Sequence, residues 1–215
     1  MSAQCVMICS GKGGTGKSTV SVLLGAGLAR LGRKVLLVEL DSGLRSVDII
    51  AGVYGRTVYD IEDVLCGRCE PAKAIVPSPL YAGLSVISAP YEGGEVAAVP
   101  LGRLLQAVRP YFDLILLDTA AGMGAPFTAA ATVADRALLV LNRVTRDSFG
   151  KRASVEDLDE CIDTVGAQLI AVIPESVALQ QAGAAGTVPP AHDAAVVAGQ
   201  ALAKRLCGQR VPLTF

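Results

Sequence analysis

Tryptophan is absent from this chain of 215 residues, aromatic residues make up 4% of it, and charged residues make up 18%. Apolar residues, in contrast, make up 52%. This composition excludes a disordered chain and favours a large core with strands that are buried on both faces. The net charge of −1 gives no electrostatic reason to expect nucleic acid as a partner.

Long apolar runs are also lacking, because none reaches the roughly 18 residues that a membrane span needs. The N-terminus has no basic segment followed by an apolar stretch, so no signal peptide is expected. We therefore interpret the cysteines as reduced thiols of a cytoplasmic protein. Cys5 and Cys9 are expected in the core of the first strand.

Cys66 and Cys69 form a C-x-x-C pair, a spacing that metal and redox sites use. A structural zinc site needs four ligands, and no histidine lies near this pair. The pair therefore predicts a metal site only weakly.

Apolar runs alternate with helical patterns along the chain, which is typical of a mostly parallel sheet with helices on both faces. We find no internal repeat or second domain, so residues 1–215 are expected to form one α/β domain. The predicted strands are residues 5–9, 35–39, 84–88, 112–117, 136–144 and 169–174. The predicted helices are residues 18–31, 61–65, 101–108, 127–134 and 193–207.

Residues 11–18 read GKGGTGKS and match the phosphate-binding pattern G-x-x-x-x-G-K-[ST]. Glycines allow the backbone to approach an anion closely, and the N-terminus of the following helix favours negative charge. Lys17 would place a cation near the β- and γ-phosphates, and Ser18 would offer a hydroxyl to Mg²⁺. A plain glycine-rich turn is the alternative. The full predicted nucleotide-binding set is Gly11, Gly13, Gly14, Thr15, Gly16, Lys17, Ser18 and Thr19.

The second lysine of this loop, Lys12, makes residues 12–18 resemble the deviant Walker A motif of the MinD/ParA family of P-loop ATPases. The resemblance implies a single-domain P-loop NTPase that uses ATP and Mg²⁺. It also implies that two subunits enclose ATP as a homodimer, in which Lys12 reaches the nucleotide of the partner.

Residues 39–48 read ELDSGLRSVD and resemble the switch segment D-x-D-x-G-L-R-N-x-D of MinD proteins. The resemblance implies that Asp41 positions the attacking water and is a candidate Mg²⁺ ligand. Glu39 stands where the family has its first aspartate. Because its carboxylate lies one methylene further out, hydrolysis is expected to be slower or differently coordinated.

Asp118 ends an apolar strand and begins the sequence DTAAG, which resembles the Walker B segment D-[ST]-P-A-G. An acid at this place orients Mg²⁺, often through a water. Ala120 replaces the usual proline. Helix capping is the alternative role for Asp118.

Asn142 and Arg143 close the strand at residues 136–144, as an N-R pair does in MinD proteins, where the asparagine contacts adenine. Pro174 belongs to a stretch that resembles the V-P-E-D loop beside the base. These three residues are therefore candidate nucleotide-binding residues. A turn residue at a strand end is the alternative for Asn142.

The chain departs from the family between Ala134 and Asn142, where one strand–helix unit that carries dimer-face residues is missing. The distance of Asn142 from the P-loop and the dimer geometry are therefore open. The basic amphipathic C-terminal helix of membrane-binding MinD proteins is not recognised either. Residues 193–207 are expected to form a packed core helix, and peripheral membrane contact is left open.

The leading hypothesis is a slow, partner-stimulated ATPase switch in bacterial division-site placement, with a protein activator or division-site regulator as partner. Its expected catalytic residues are Lys12, Lys17 and Asp41. The alternatives are a ParA-like DNA partition ATPase, which needs a basic surface, a metallocluster carrier using Cys66 and Cys69, and a nucleotide-binding relic with little or no hydrolysis.

Overall fold

The structure, a computed structural model, describes residues 3–93, 96–137, 139–145, 147–149 and 157–213. In these residues the strands are β1 (Gln4–Ile8), β2 (Val35–Glu39), β3 (Val76–Pro77), β4 (Leu84–Ile87), β5 (Leu114–Asp118), β6 (Leu139–Val144) and β7 (Leu169–Pro174). The helices are α1 (Lys17–Arg30), α2 (Ser46–Ile50), α3 (Ile61–Leu65), α4 (Pro71–Ala74), α5 (Ala98–Val108), α6 (Ala125–Val133), α7 (Leu158–Val165), α8 (Val177–Ala185) and α9 (Ala194–Leu206), with a short 3-10 turn at Arg109–Tyr111.

The main sheet has the strand order β1-β5-β2-β4-β3. Its first four strands are parallel, and β3 joins the edge antiparallel to β4. β6 and β7 form a separate parallel pair. The parallel register aligns Ile8, Asp118 and Glu39 at the carboxyl ends of three neighbouring strands, which is the edge where open α/β sheets bind ligands.

Two hydrophobic cores lie on opposite faces of the sheet. On β2, Val35 and Leu37 belong to the core beneath α1 and α9, whereas Leu36 and Val38 belong to the core beneath α5 and α6. This alternation follows from the two-residue period of a strand. Both faces are thus covered by helices, and the predicted α/β class with a mostly parallel sheet is confirmed.

The final helix, α9, packs against α1 and β7 and buries Leu202 and Leu206. The prediction of a packed core helix is therefore confirmed. Across the part of the chain that the structure describes, no helix combines the length and the apolar character that crossing a membrane requires.

Several boundaries differ from the predictions. β1 ends at Ile8, and Cys9 is exposed rather than part of the core. That prediction was wrong because residue 9 already belongs to the loop above the sheet, whereas Cys5 is buried as expected. β6 begins at Leu139 rather than at residue 136, and residue 138 lies outside the described residues. The short helices α2 and α4 and the helices α7 and α8 were not predicted.

One side of β1 is largely unpaired. β1 pairs with β5 along its length, but on its other side, among the described residues, it forms a single bridge, between Val6 and Arg136. The Met7 amide donates to the Arg136 carbonyl at 3.4 Å. Beyond this bridge a cleft of about 740 Å³ separates β1 from β6. One strand, β6, occupies the interval in which the sequence indicated a missing strand–helix unit.

Candidate functional site

The loop between β1 and α1 has the conformation that a phosphate cradle needs. Gly14 and Gly16 adopt φ angles of 73° and 86°, which L-residues with a side chain rarely adopt. The Ser10 hydroxyl hydrogen-bonds the Thr15 hydroxyl at 2.9 Å and donates to the Lys12 carbonyl at 2.7 Å. These bonds close the loop on itself and leave Gly11, Gly13 and Gly14 open to a ligand.

The loop leads directly into the first turn of α1. Gly16 is the N-cap residue of α1 and has no side chain to cap the helix. The amide groups of the first turn therefore remain available to an anion, and the helix dipole adds to their attraction. Lys17 is the first helical residue, followed by Ser18 and Thr19, all three half-buried. Lys12 is exposed.

Asp118 lies at the end of β5 and is fully buried. Its Oδ1 accepts a hydrogen bond from the Ser21 hydroxyl at 2.9 Å, whereas its Oδ2 is buried without a hydrogen-bond partner among the described residues. Burial raises the pKa of Asp118 to about 6, while the nearby Ser18 hydroxyl, the hydrogen bond from Ser21 and the charge of Lys17 lower it.

A buried carboxylate oxygen without a partner is costly unless a cation or a water completes it. The neighbouring Ser18 hydroxyl adds a second oxygen, and oxygen ligands are what Mg²⁺ prefers. Ser18 and Asp118 therefore fit an Mg²⁺ ion, with Asp118 able to act through a bound water. The capping alternative for Asp118 fails, because α6 begins after Gly124 and has no side-chain cap.

Asp41 follows β2 beside this position and is half-buried. Its charge raises the pKa of Asp118, so the two carboxyl groups lie close enough to interact. The Leu40 amide donates to the Asp118 carbonyl at 2.7 Å and ties the start of the switch segment to β5. Asp41 is thus placed at the same sheet edge as the P-loop, as the sequence predicted.

The Glu39 carboxyl group is buried at this edge and is bound by backbone amides. The Glu39 side chain is 1% exposed and accepts hydrogen bonds from the amides of Val47 at 3.1 Å and Ala89 at 3.5 Å. Burial raises its pKa to about 8, opposed by the Val47 hydrogen bond and reinforced by the charges of Asp48 and Asp118. Glu39 therefore anchors the start of α2 from beneath the switch segment.

The remainder of the switch segment is held by a buried polar network that the sequence analysis did not identify. Arg45 adopts a φ angle of 46° and forms an ion pair with Asp48 at 2.6 Å. Asp48 also accepts a hydrogen bond from the Ser88 hydroxyl at 2.5 Å. The Arg45 guanidinium lies 4.2 Å from the ring centroid of Tyr91, an arrangement favoured by the ring quadrupole.

Ser21 is a further residue that the sequence did not indicate. It lies on α1 between Val20 and Val22, and all three are buried. A polar residue within an otherwise apolar stretch of helix was the available signal, since a buried hydroxyl needs a partner.

Asn142 and Arg143 lie against the P-loop. Asn142 Nδ2 donates to the Thr15 carbonyl at 2.8 Å, and Arg143 Nη1 donates to the Gly14 carbonyl at 3.2 Å. The structure thus resolves the open distance between Asn142 and the P-loop. Pro174 ends β7 opposite Val144 in the strand register, so the residue pair and the proline occupy neighbouring strand ends.

The C-x-x-C pair lies at the end of α3. Cys66 follows α3 and is exposed, and Cys69 is half-buried. Within the described ranges, no group of three or more His, Cys, Asp or Glu side chains is arranged to hold a metal ion.

Comparison with known proteins agrees with this geometry. The profile of the CobQ/CobB/MinD/ParA nucleotide binding domain matches residues 6–189. The septum site-determining protein MinD of Bacillus subtilis is 29% identical, with 98% of this chain and 91% of the relative aligned. MinD of Synechocystis is 34% identical over 82% of this chain and 67% of the relative.

The solved structures give the same result. The structure of the MinC:MinD cell division protein complex of Aquifex aeolicus contains a chain that superposes with a TM-score of 0.87 at 30% identity, covering 99% of each chain. A MinD cell division ATPase from Pyrococcus furiosus superposes with a TM-score of 0.82 at 25% identity, covering 96% of this chain and 99% of that one. This chain belongs to the CobQ/CobB/MinD/ParA family of P-loop ATPases and resembles its septum site-determining MinD proteins over most of its length.

Proposed function

We propose that this protein is an Mg²⁺-dependent, ATP-hydrolysing switch of the MinD type that dimerises on binding ATP. The observation that carries the proposal is the meeting of three features at one sheet edge. These are the open glycine loop, the buried and partnerless Oδ2 of Asp118, and the half-buried Asp41 beside it.

Catalysis would be positional and electrostatic. The loop amides and Lys17 would bind the β- and γ-phosphates, and Ser18 and Asp118 would hold Mg²⁺. Bound there, Mg²⁺ supplies charge neutralisation on the phosphate oxygens. Asp41 would orient the water for in-line attack, and Lys12 of one subunit would reach the nucleotide of the other.

The exposure of Lys12 supports association in pairs, because its side chain can extend from the surface of one subunit towards another. Hydrolysis would remove the γ-phosphate that both subunits contact, and the dimer would then separate. The slow rate and its stimulation by a partner are part of the same proposal. The solved MinC:MinD complex of Aquifex aeolicus supports a division-site regulator as the kind of protein partner. We propose division-site placement in the cytoplasm as the role.

Two other functions compete with this one. A ParA-like DNA partition ATPase would share the P-loop, but the chain has 19 basic against 20 acidic residues, which is not a DNA-binding excess. A nucleotide-binding relic is the second, because the cleft between β1 and β6 interrupts the sheet beside the P-loop.

Phosphate release from MgATP separates these possibilities. We expect turnover by the unmodified protein and loss of turnover in Lys17→Ala, with Lys73→Ala, a substitution of an exposed lysine distant in sequence from the loop, as the matched control. Nucleotide binding without turnover would support the relic. Salt-sensitive DNA binding that depends on ATP would support the partition ATPase.

A further inference from the structure

The P-loop is supported by two side chains from β6 in a way that fixes the direction of its amides. The Gly14 carbonyl belongs to the peptide that carries the Thr15 amide, and the Thr15 carbonyl belongs to the peptide that carries the Gly16 amide. Because C=O and N–H point in opposite directions in a trans peptide, donors on these carbonyls turn both amides away from β6. A hydrogen bond accepted by the carbonyl also polarises the peptide and strengthens its amide as a donor.

Arg143 is itself held in place by Glu175. Arg143 Nε and Nη2 donate to Glu175 Oε1 at 3.3 and 2.9 Å, which leaves Nη1 for the Gly14 carbonyl. The Glu175 amide donates to the Val144 carbonyl at 3.0 Å. This hydrogen bond fixes the backbone from which the Glu175 carboxylate extends. Arg143 adopts a φ angle of 59°, which is uncommon for a residue with a side chain and often marks a functional position.

The Asn142 side chain lies directly against Gly16, and a side chain at residue 16 would displace it. A Cβ atom built on Gly16 would lie 2.5 Å from Asn142 Nδ2, well inside van der Waals contact. The absence of a side chain at residue 16 therefore serves the approach of Asn142 as well as the left-handed backbone.

These contacts also join two parts of the fold. Apart from the bridge between Val6 and Arg136, the β6–β7 pair has no strand pairing with the main sheet within the described residues. The Asn142 and Arg143 side chains, which donate to P-loop carbonyls, provide a second attachment between β6 and the main sheet. They act on the P-loop itself, so the position of β6 and the shape of the phosphate site are coupled.

We propose that Arg143, aimed by Glu175 and assisted by Asn142, is a positioning residue that holds the Thr15 and Gly16 amides in the orientation that bound phosphates need. The inference rests on the proposed ATPase function and deepens it, because it gives these contacts with the Gly14 and Thr15 carbonyls a role in polyphosphate binding, which is separate from the base contact expected of Asn142.

Inorganic tripolyphosphate, which has no base, separates the two roles. We would measure its affinity and that of ATP, each with Mg²⁺, by titration calorimetry. Arg143→Ala is expected to weaken both by the same factor, roughly tenfold, the size of a lost charge-assisted hydrogen bond. Arg136→Ala, which removes an exposed arginine before β6, is expected to change neither. If Arg143→Ala weakens ATP binding but leaves tripolyphosphate binding intact, Arg143 contacts the base and the proposal is wrong.

Amide chemical shifts in the nucleotide-free protein give a readout that needs no ligand, because a hydrogen bond accepted by a carbonyl polarises its peptide and changes the shift of the amide on the same peptide. Arg143→Asn keeps a residue that tolerates the left-handed backbone and removes the guanidinium, so it guards against a simple loss of folding. We expect the Thr15 amide signal to move in this variant and in Glu175→Gln, with unchanged signals in the core strands β2 and β5. An unmoved Thr15 amide signal in both variants would overturn the proposal. Failure of the unmodified protein to bind either ligand would contradict the ATPase function, and the chemical shifts would still decide the role of Arg143.

Discussion

Replacing Glu39 by glutamine is expected to make the protein more stable at neutral and alkaline pH. The carboxyl group is buried, and its pKa is raised from the usual 4.5 to about 8. The folded state therefore binds a proton that the unfolded state releases between these two values. Stability is fully present below pH 4.5 and falls as the pH rises towards 8, because ionising Glu39 places a charge in the core.

The size of the effect follows from the raised pKa. Each pH unit within that window lowers the free energy of unfolding by about 1.4 kcal/mol. Between pH 5 and pH 7 the loss from this one group amounts to about 3 kcal/mol. Glutamine keeps an oxygen that accepts from the Val47 amide and has nearly the same shape, so Glu39→Gln removes the titration with little change in packing.

The assay is urea unfolding at pH 5, 6, 7 and 8 in the absence of nucleotide and Mg²⁺. We expect the free energies of unfolding of the two proteins to diverge by about 3 kcal/mol between pH 5 and pH 7. Glu92→Gln, which replaces an exposed carboxylate, should follow the unmodified protein. Parallel pH curves for Glu39→Gln and the unmodified protein would show that Glu39 is ionised in the folded state, and the reasoning from its burial would be refuted.

Three further substitutions test the site and the core. Gly16→Ala is expected to cost about 1–3 kcal/mol of stability in thermal or urea unfolding, because residue 16 has a left-handed backbone and contacts Asn142. The control Gly102→Ala, within α5, should be neutral or stabilising. Equal effects of the two substitutions would contradict the contacts described at Gly16. Leu116→Ala should lower the free energy of unfolding by about 2–5 kcal/mol, because the Leu116 side chain is fully buried. Leu44 is exposed, so Leu44→Ala should change the free energy of unfolding little. A cost below about 1 kcal/mol at Leu116 would contradict the described core. Asp118→Asn should raise the Mg²⁺ concentration that gives half-maximal ATP turnover about tenfold or more. The control Asp163→Asn should leave this concentration unchanged. An unchanged Mg²⁺ requirement in Asp118→Asn would show that Asp118 does not belong to the metal site.

Much of the fold could be predicted from the sequence because its signals are local. β2 and β7 match the predicted residues, and α1, α3 and α9 match within about one residue, since apolar periodicity and glycine positions mark them directly. The P-loop was also predictable, because a strand, a glycine turn and a helix follow one another without interruption.

Other features depend on contacts between distant segments, which periodicity does not encode. The burial of Glu39 follows from α2 and from residue 89 closing over it, and neither was visible in the pattern around residue 39. The contact of Asn142 with Thr15 joins the end of β6 to the P-loop, 127 residues away in sequence. Helices α7 and α8 were not predicted, although Asp157 and Ser176 provide N-cap hydrogen bonds for them, and such capping residues are a signal that the sequence carries.

The mass of the protein in solution with MgATP tests the central claim most directly. Light scattering would be recorded for the unmodified protein and for Asp41→Ala, with and without MgATP. We expect a monomer without nucleotide, a dimer with MgATP, and a longer-lived dimer in Asp41→Ala, because the variant binds ATP but does not orient the water. A monomer under every condition, with ATP demonstrably bound, would contradict the dimerisation switch.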